Sequence, residues 1–393
     1  MQGSRFDEVI DREGTGALAL DRARFGLPLD VTPLWIADMG FAAPNAVTTA
    51  LAGRVQHGIL GYSVPTPGYF EALGGWFARR HGWHVDPRQS VQTRGVVHAL
   101  YLALDALTDP GAGVIIQPPV YPPFFQAIRD TGRRLLANPL VEADGRYEID
   151  FDQFEAQARE AAAFILCSPH NPVGRVWTRA ELSRLADVCL RHRVLIISDE
   201  VHADFVYPGS RHVVTAVLGA DVDALTVTCT APSKTFNVAG LQLANVFASD
   251  AGTRARLEAA YARNGLSQHP ALGLVACEAA YGGGADEWVD ELVAYLNGTM
   301  AAIAGFTQAH LPGIRFIRPE GTYVAWLDMR GLGLDQAGLK RLVVTGARLW
   351  LSDGAAFGAE GAGFQRLNAA APRAVVMSAL ERLAAALGEV TRD

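Results

Sequence analysis

The chain has 393 residues, half of them hydrophobic and 19% charged, and a net charge of −7. That composition supports a large buried core split over more than one domain, and it excludes a disordered chain and a surface built for nucleic acid. No apolar run approaches the roughly 20 residues that span a bilayer, and the polar, acidic start MQGSRFDEVIDREGTG has no signal-peptide core, so a cytoplasmic enzyme is expected.

In chain order, residues 1–44 contain nothing that resembles a sheet strand, and they are expected to pack with a C-terminal domain. A large domain is expected over 45–284. TRGVVHALYLALDAL (93–107) opens a helix at Val96 and Val97, whose first amides are free to hold an anion, and Gly95 allows close backbone approach. GVIIQP (113–118), AFILCS (163–168), VLIISD (194–199), ALTVTC (224–229) and LANVFAS (243–249) are continuous apolar runs, the pattern of buried parallel strands. Helical periodicity lies between them, as in TRAELSRLADVCLRH (178–192), with Leu182, Leu185 and Val188 on one face. Alternating strands and helices predict an α/β fold with a mostly parallel sheet flanked by helices. The four cysteines, Cys167, Cys189, Cys229 and Cys277, stand singly in apolar surroundings, as buried free thiols do, and not as a disulfide frame or a metal site.

From residue 285 the pattern changes to a smaller α+β domain (285–393). EWVDELVAYLNGTMAAIAGFTQAHL reads as one long helix with Trp288, Leu292, Leu296 and Phe306 among its apolar positions. GIRFIRP and TYVAWLDM read as strands, and a helix closes the chain. GAAFGAEGAG (354–363) has the glycine count of a phosphate loop but no lysine–serine pair, so a flexible loop is expected there.

Parallel sheets bind ligands beyond the carboxyl ends of their strands, and three such ends carry chemistry. Asn171 follows the strand at 163 in a Pro/Gly turn, Asp199 ends the strand at 194, and Lys234 lies just past the strand at 224. Lys and Arg together number 34, yet only Lys234 and Lys340 are lysines. A buried amine loses its charge readily and forms a Schiff base with an aldehyde, whereas a guanidinium does not. An aspartate in the same cleft suits a pyridinium nitrogen, an asparagine can donate to a ring oxygen, and the segment at Gly95–Val97 can grip a phosphate. Together these parts describe pyridoxal 5′-phosphate.

NPVG, SDEVH and SKTFNVAGLQ, in this order, resemble the fold-type I pyridoxal-phosphate enzymes of aminotransferase class I/II. LWIADMGF (34–41), PPVYPPF (118–124), GTYVAWLDMRGLG (321–333) and GFQRLNAAAPR (363–373) resemble the MalY/PatB cystathionine β-lyase group within it. The resemblance implies that Lys234 holds the cofactor, Asp199 pairs with its pyridine nitrogen, and Asn171 meets its ring oxygen. It implies that Tyr121 stacks on the ring, that His202 stands beside it, and that Thr230 or Ser233 joins Gly95, Val96 and Val97 on the phosphate. Arg366 would clamp the substrate carboxylate, with Asn171 and Tyr62 beside it, and Tyr62 would reach the phosphate of a neighbouring subunit, making a homodimer with shared sites. The sequence departs from the broader pattern at His202, at Gln242 (where aminotransferases commonly place a phosphate-binding arginine), at Ala231 and at Gly40. The implied activity is a C–S β-lyase acting on L-cystathionine or another cysteine S-conjugate. An aminotransferase and a non-catalytic regulatory protein on the same fold are the alternatives.

Overall fold

The computed structural model describes residues 3–266 and 268–390. In chain order its strands are β1 (Thr32–Pro33), β2 (Ser90–Thr93), β3 (Gly113–Ile116), β4 (Arg134–Ala137), β5 (Val141–Ala143), β6 (Arg146–Glu148), β7 (Ala161–Cys167) and β8 (Leu195–Asp199). They continue as β9 (Thr226–Thr230), β10 (Ala244–Phe247), β11 (Arg315–Ile317), β12 (Val324–Asp328), β13 (Leu349–Trp350), β14 (Ser352–Asp353) and β15 (Phe364–Asn368).

Seven strands form the central sheet in the order β2-β10-β9-β8-β7-β3-β4. The run β9-β8-β7-β3-β4 is parallel, and β3, β7, β8 and β9 are buried along nearly their whole length, whereas the edge strand β4 opens on exposed Arg134 and Leu135. β10 corrects the reading of LANVFAS as a parallel strand, since it runs antiparallel to both β9 and β2. The physical reason is that a fully buried strand shows the same apolar run whichever way it points. In register, Cys167 pairs with Asp199 and Asp199 with Cys229, so the turns after β7, β8 and β9 leave the sheet at one level. The helix Arg179–His192 begins where Thr178 and Glu181 exchange a reciprocal cap, and it buries Leu182, Leu185 and Val188 against the sheet.

The second sheet is antiparallel, in the order β11-β12-β15-β14. The long helix Asp286–His310 packs beside it, burying Trp288, Leu292 and Leu296, with Phe306 half-buried. Residues before 45 do contribute one two-residue strand, because β1 pairs in parallel with β13, Thr32 opposite Leu349. Trp35 stacks on Trp350 at 4.5 Å between ring centres and reinforces that seam. No helix among the described residues is long and apolar enough to cross a membrane.

The stretch 354–363 is not an open flexible loop. Two short turns, Gly354–Phe357 and Ala359–Gly361, bring Gly354 and Gly361 so close that a Cβ on either would overlap the carbonyl oxygen of the other. Gly361→Ala is therefore expected to lower the urea midpoint by the equivalent of about 1–3 kcal/mol. Gly305→Ala, in open space within the long helix, is expected to raise it by about 0.5–1 kcal/mol. Equal midpoints for the two variants would contradict this packing.

Candidate active site

Three turns at the carboxyl edge of the large sheet meet β15 of the small one. After β7, Asn171 is buried, and its Oδ1 accepts a hydrogen bond from Nη1 of Arg366 at 3.0 Å. The same turn is tied to the PPVY segment by His170, whose Nε2 lies 3.0 Å from the Pro119 carbonyl. Asp199, 5% exposed, ends β8; its Oδ1 accepts from the Val201 amide at 3.1 Å, and among the described residues no donor reaches Oδ2. Burial lifts this carboxyl from 3.8 to about 7, against the opposing pull of the Val201 amide and the Lys234 charge.

After β9 a single helical turn, Pro232–Thr235, presents Lys234. Its Nζ donates to the Ala37 carbonyl at 2.8 Å. Burial and the neighbouring Arg366 charge bring the amine down to about 8, although Asp38 and Asp199 pull the other way. His202 is buried with no partner for Nδ1, and its ring meets that of Tyr323 edge-on at 5.4 Å. Burial, with Lys234 and Arg366 nearby, pushes it down to about 3, so it stays neutral. Tyr121 stands half-buried at the start of the helix Pro122–Asp130, within the fields of Arg366 and Asp199. Arg366 is buried on β15, where Nη2 donates to the Trp35 carbonyl at 2.7 Å and to Ser352 Oγ at 3.2 Å. Its guanidinium lies over the Phe357 ring, and its Nε has no partner.

Gly95, at φ 92°, immediately precedes the helix Val96–Leu107; nothing crowds it, so the backbone angle and not close contact calls for glycine there. Helix geometry leaves the first amides of that helix, at Val96 and Val97, without intrahelical acceptors. Ser233 is half-buried in the lysine turn, while Thr230 Oγ1 is already donating to the Asn245 carbonyl at 3.2 Å. Tyr62 is 91% exposed and makes no hydrogen bond or ring contact to the other site residues among the described residues. Gln242 is exposed in a left-handed conformation, and a Cβ at Gly40 would meet Ala371 and Pro372 at ordinary contact distance.

Sequence reasoning missed a second ring of residues around the segment Trp35–Phe41. Tyr323 donates to the Ala37 carbonyl at 3.1 Å, and Asn368 donates to the carbonyls of Ile36 and Asp38. Asn237 donates to Met39 and Phe41. All three lie inside motifs that carry the family resemblance, which was the available signal; Ser352 had none. A surface cavity of about 600 Å³, lined by Arg79, Arg80, His81 and Tyr207, contains none of the groups above. The candidate site is the tighter cleft defined by its buried, incompletely paired ionisable groups.

These groups fit pyridoxal 5′-phosphate. Asp199 has an oxygen free for a pyridinium, Lys234 offers an amine that gives up its proton near pH 8, well below the usual lysine range, and His202 keeps an unpartnered nitrogen. Residues 42–383 match the family model for aminotransferase class I and II. The chain is 42% identical to cystathionine beta-lyase PatB of Bacillus subtilis over 97% of its length and 99% of that protein's. It is 36% identical to protein MalY of Escherichia coli, covering 94% and 95% of the two chains. The crystal structure of cystalysin from Treponema denticola, which contains a pyridoxal 5′-phosphate cofactor, superposes with a TM-score of 0.94 at 35% identity, covering 98% of this chain and 99% of that one.

The raised Asp199 carboxyl has a thermodynamic consequence. The folded chain holds that proton more tightly than the unfolded chain, so the cofactor-free protein loses stability as pH rises from about 4 to about 7, and the loss then levels off. Cofactor-free Asp199→Asn is expected to be more stable than wild type at pH 8, by an amount on the order of 4 kcal/mol at most, with the margin closing toward pH 4. Thermal unfolding of both proteins across that range checks it; parallel pH profiles would contradict the buried-charge account.

Proposed function

Because the chain belongs to the aminotransferase class I and II family, we propose that it is a pyridoxal 5′-phosphate-dependent C–S β-lyase of the MalY/PatB type. It cleaves L-cystathionine or a related cysteine S-conjugate, with water, to a thiol, pyruvate and ammonia. The observation that carries the reading is Lys234: a half-buried amine at about 8, in the fields of Asp199 and Arg366, in a chain with near full-length relatives that are named cystathionine beta-lyases.

When bound, the cofactor supplies an electron sink for the pair left when the Cα–H bond of the amino acid breaks. Lys234 would hold the cofactor and, as a free amine, would take the Cα proton of the substrate as general base. Arg366 binds the substrate carboxylate with the help of its free Nε, and Asn171 fixes the guanidinium that does so. Asp199 would pair with the pyridine nitrogen, neutral His202 and Tyr121 would lie beside the ring, and the amides at Gly95–Val97 with Ser233 would hold the phosphate. Departure of the thiolate from Cβ completes the elimination.

Purified protein given L-cystathionine is expected to release pyruvate and ammonia, and given an amino acid with 2-oxoglutarate to form little glutamate. Lys234→Arg keeps a positive charge and is expected to lose turnover by several orders of magnitude, because guanidinium neither holds the aldehyde nor accepts the proton. Normal turnover by that variant would refute the assignment, and dominant glutamate formation would favour transamination.

The working unit is a homodimer with shared sites. Tyr62 stands on an exposed stretch with Val55, Ile59, Leu60 and Val64, an apolar surface suited to a two-fold contact. Tyr62 then serves the phosphate of the partner's site. Residues 1–44 go with the small domain (285–393) through the β1–β13 pair, and 45–284 form the cofactor domain. Four buried free cysteines support a cytoplasmic location. Mixing Tyr62→Phe with Lys234→Ala subunits is expected to restore activity, since one site of each heterodimer collects both defects and the other neither. Heterodimers that form without recovering activity would show that Tyr62 serves its own subunit.

A further inference from the structure

Lys234 sits on a single helical turn, Pro232–Thr235, too short to fix its own orientation. The next residue, Thr235, is fully buried, and its Oγ1 donates to Oδ2 of Asp204 at 2.6 Å. The other oxygen, Oδ1, lies 2.9 Å from Nε2 of His81, the last residue of the helix Pro67–His81. The side chains of His81 and Asp204 are only 6% and 8% exposed. Burial alone would raise the Asp204 carboxyl, but His81, the Thr235 hydroxyl and the Arg80 charge hold it below its usual range, so it is an anion with both oxygens engaged.

Asp204 belongs to the turn after β8, the one that also carries Asp199 and His202. A second buried pair in that region, Glu200 with His212 at 2.9 Å, is used locally, since the other oxygen of Glu200 accepts from Ser198 and the Thr215 amide. Asp204 instead reaches across to the lysine turn. We propose that Asp204, held between His81 and Thr235, is a positioning residue that fixes the turn of Lys234 relative to that of Asp199 and His202. The carboxylate touches no reacting atom. It acts by allowing the amine one height over the cleft, and a misplacement of about 1 Å there costs on the order of a hundredfold in rate.

This inference rests on Lys234 being the base, and the test separates the two. Thr235→Val keeps the volume and deletes the hydroxyl, whereas Thr235→Ser keeps the hydroxyl and loses a methyl. In the holoenzyme Thr235→Val is expected to lower kcat about ten- to hundredfold with KM within about twofold, and Thr235→Ser to recover most of that loss. In the cofactor-free full chain, acetylation of Lys234 by acetic anhydride, read from the mass of its peptide, is expected to change rate in Thr235→Val and not in Thr235→Ser. Asp204→Asn, which preserves side-chain shape, is expected to behave as Thr235→Val does and replaces it if that variant fails to fold. Equal losses in the valine and serine variants, or wild-type kcat and acetylation in Thr235→Val and Asp204→Asn, would overturn the positioning role. Turnover retained by Lys234→Ala would instead remove the lysine from the mechanism, and the acetylation rates would still decide the positioning.

Discussion

Residues Trp35–Phe41 run through the interior with neither helix nor strand to receive their carbonyls, and buried carbonyls must be met by some donor. Here the donors are side chains drawn from both sheets. Arg366 and Asn368 reach the segment from β15, Tyr323 from beside β12, and Lys234 and Asn237 from the connection after β9. Arg366 and Lys234 are thereby tied to the carbonyls of Trp35 and Ala37, two residues apart on one piece of backbone. The spacing between a carboxylate anchor and a proton acceptor is thus set by the repeat of the peptide chain itself. The aromatic seam of Trp35 and Trp350 fixes one end of that segment, and the Asn237 amide fixes the other.

The molecule handles buried charge in two ways. Away from the cleft it sets each charge against an opposite one: Arg175 is shared between Glu181 and Glu320, His212 meets Glu200, and His81 meets Asp204. Within the cleft it leaves polar groups incompletely matched, with an oxygen of Asp199, Nε of Arg366 and Nδ1 of His202 lacking partners among the described residues. Such groups destabilise a fold unless a ligand completes them, and for that reason they cluster where ligands bind. A cationic ring nitrogen and an anionic substrate carboxylate are the complements that Asp199 and Arg366 lack. Ligand affinity and the missing stability are therefore the same free energy seen in two states of the protein.

Much of this was legible because the relevant signals are local. Apolar runs marked β3, β7, β8 and β9, and the period of Leu182, Leu185 and Val188 marked the helix that follows β7. Asp199 and Lys234 stood out because each sits at the end of a buried strand in a motif with a chemical meaning. Strand direction was not legible for β10, since burial on both faces erases the period that would report it. Nor was the role of residues 35–41, because a backbone carbonyl has no letter of its own and its partners lie about 200 to 330 positions away. Thr230 was offered, with Ser233, to stand in for the hydroxyl that Ala231 lacks, and its own hydroxyl donates to the Asn245 carbonyl on the neighbouring strand. The glycines of 354–363 resembled a loose loop because close backbone packing and flexibility both select the same residue.

The reversal at β10 constrains how the chain can vary in length. Parallel neighbours are joined by crossovers with a helix in them, which absorb an added or lost residue at their ends. Between β9 and β10 there is no crossover. The chain leaves Thr230, presents Lys234, and returns in the opposite direction by Ala244, through left-handed residues at Asn237 and Gln242 and a short turn at Ala239–Leu241. One residue more or less would rotate the lysine off the cleft or slip β10 by a register step that turns its side chains to the wrong face. Among descendants of this sequence, insertions and deletions belong in places such as the exposed β5–β6 hairpin tip at Asp144, while the connection from 231 to 243 keeps its length even where its letters change.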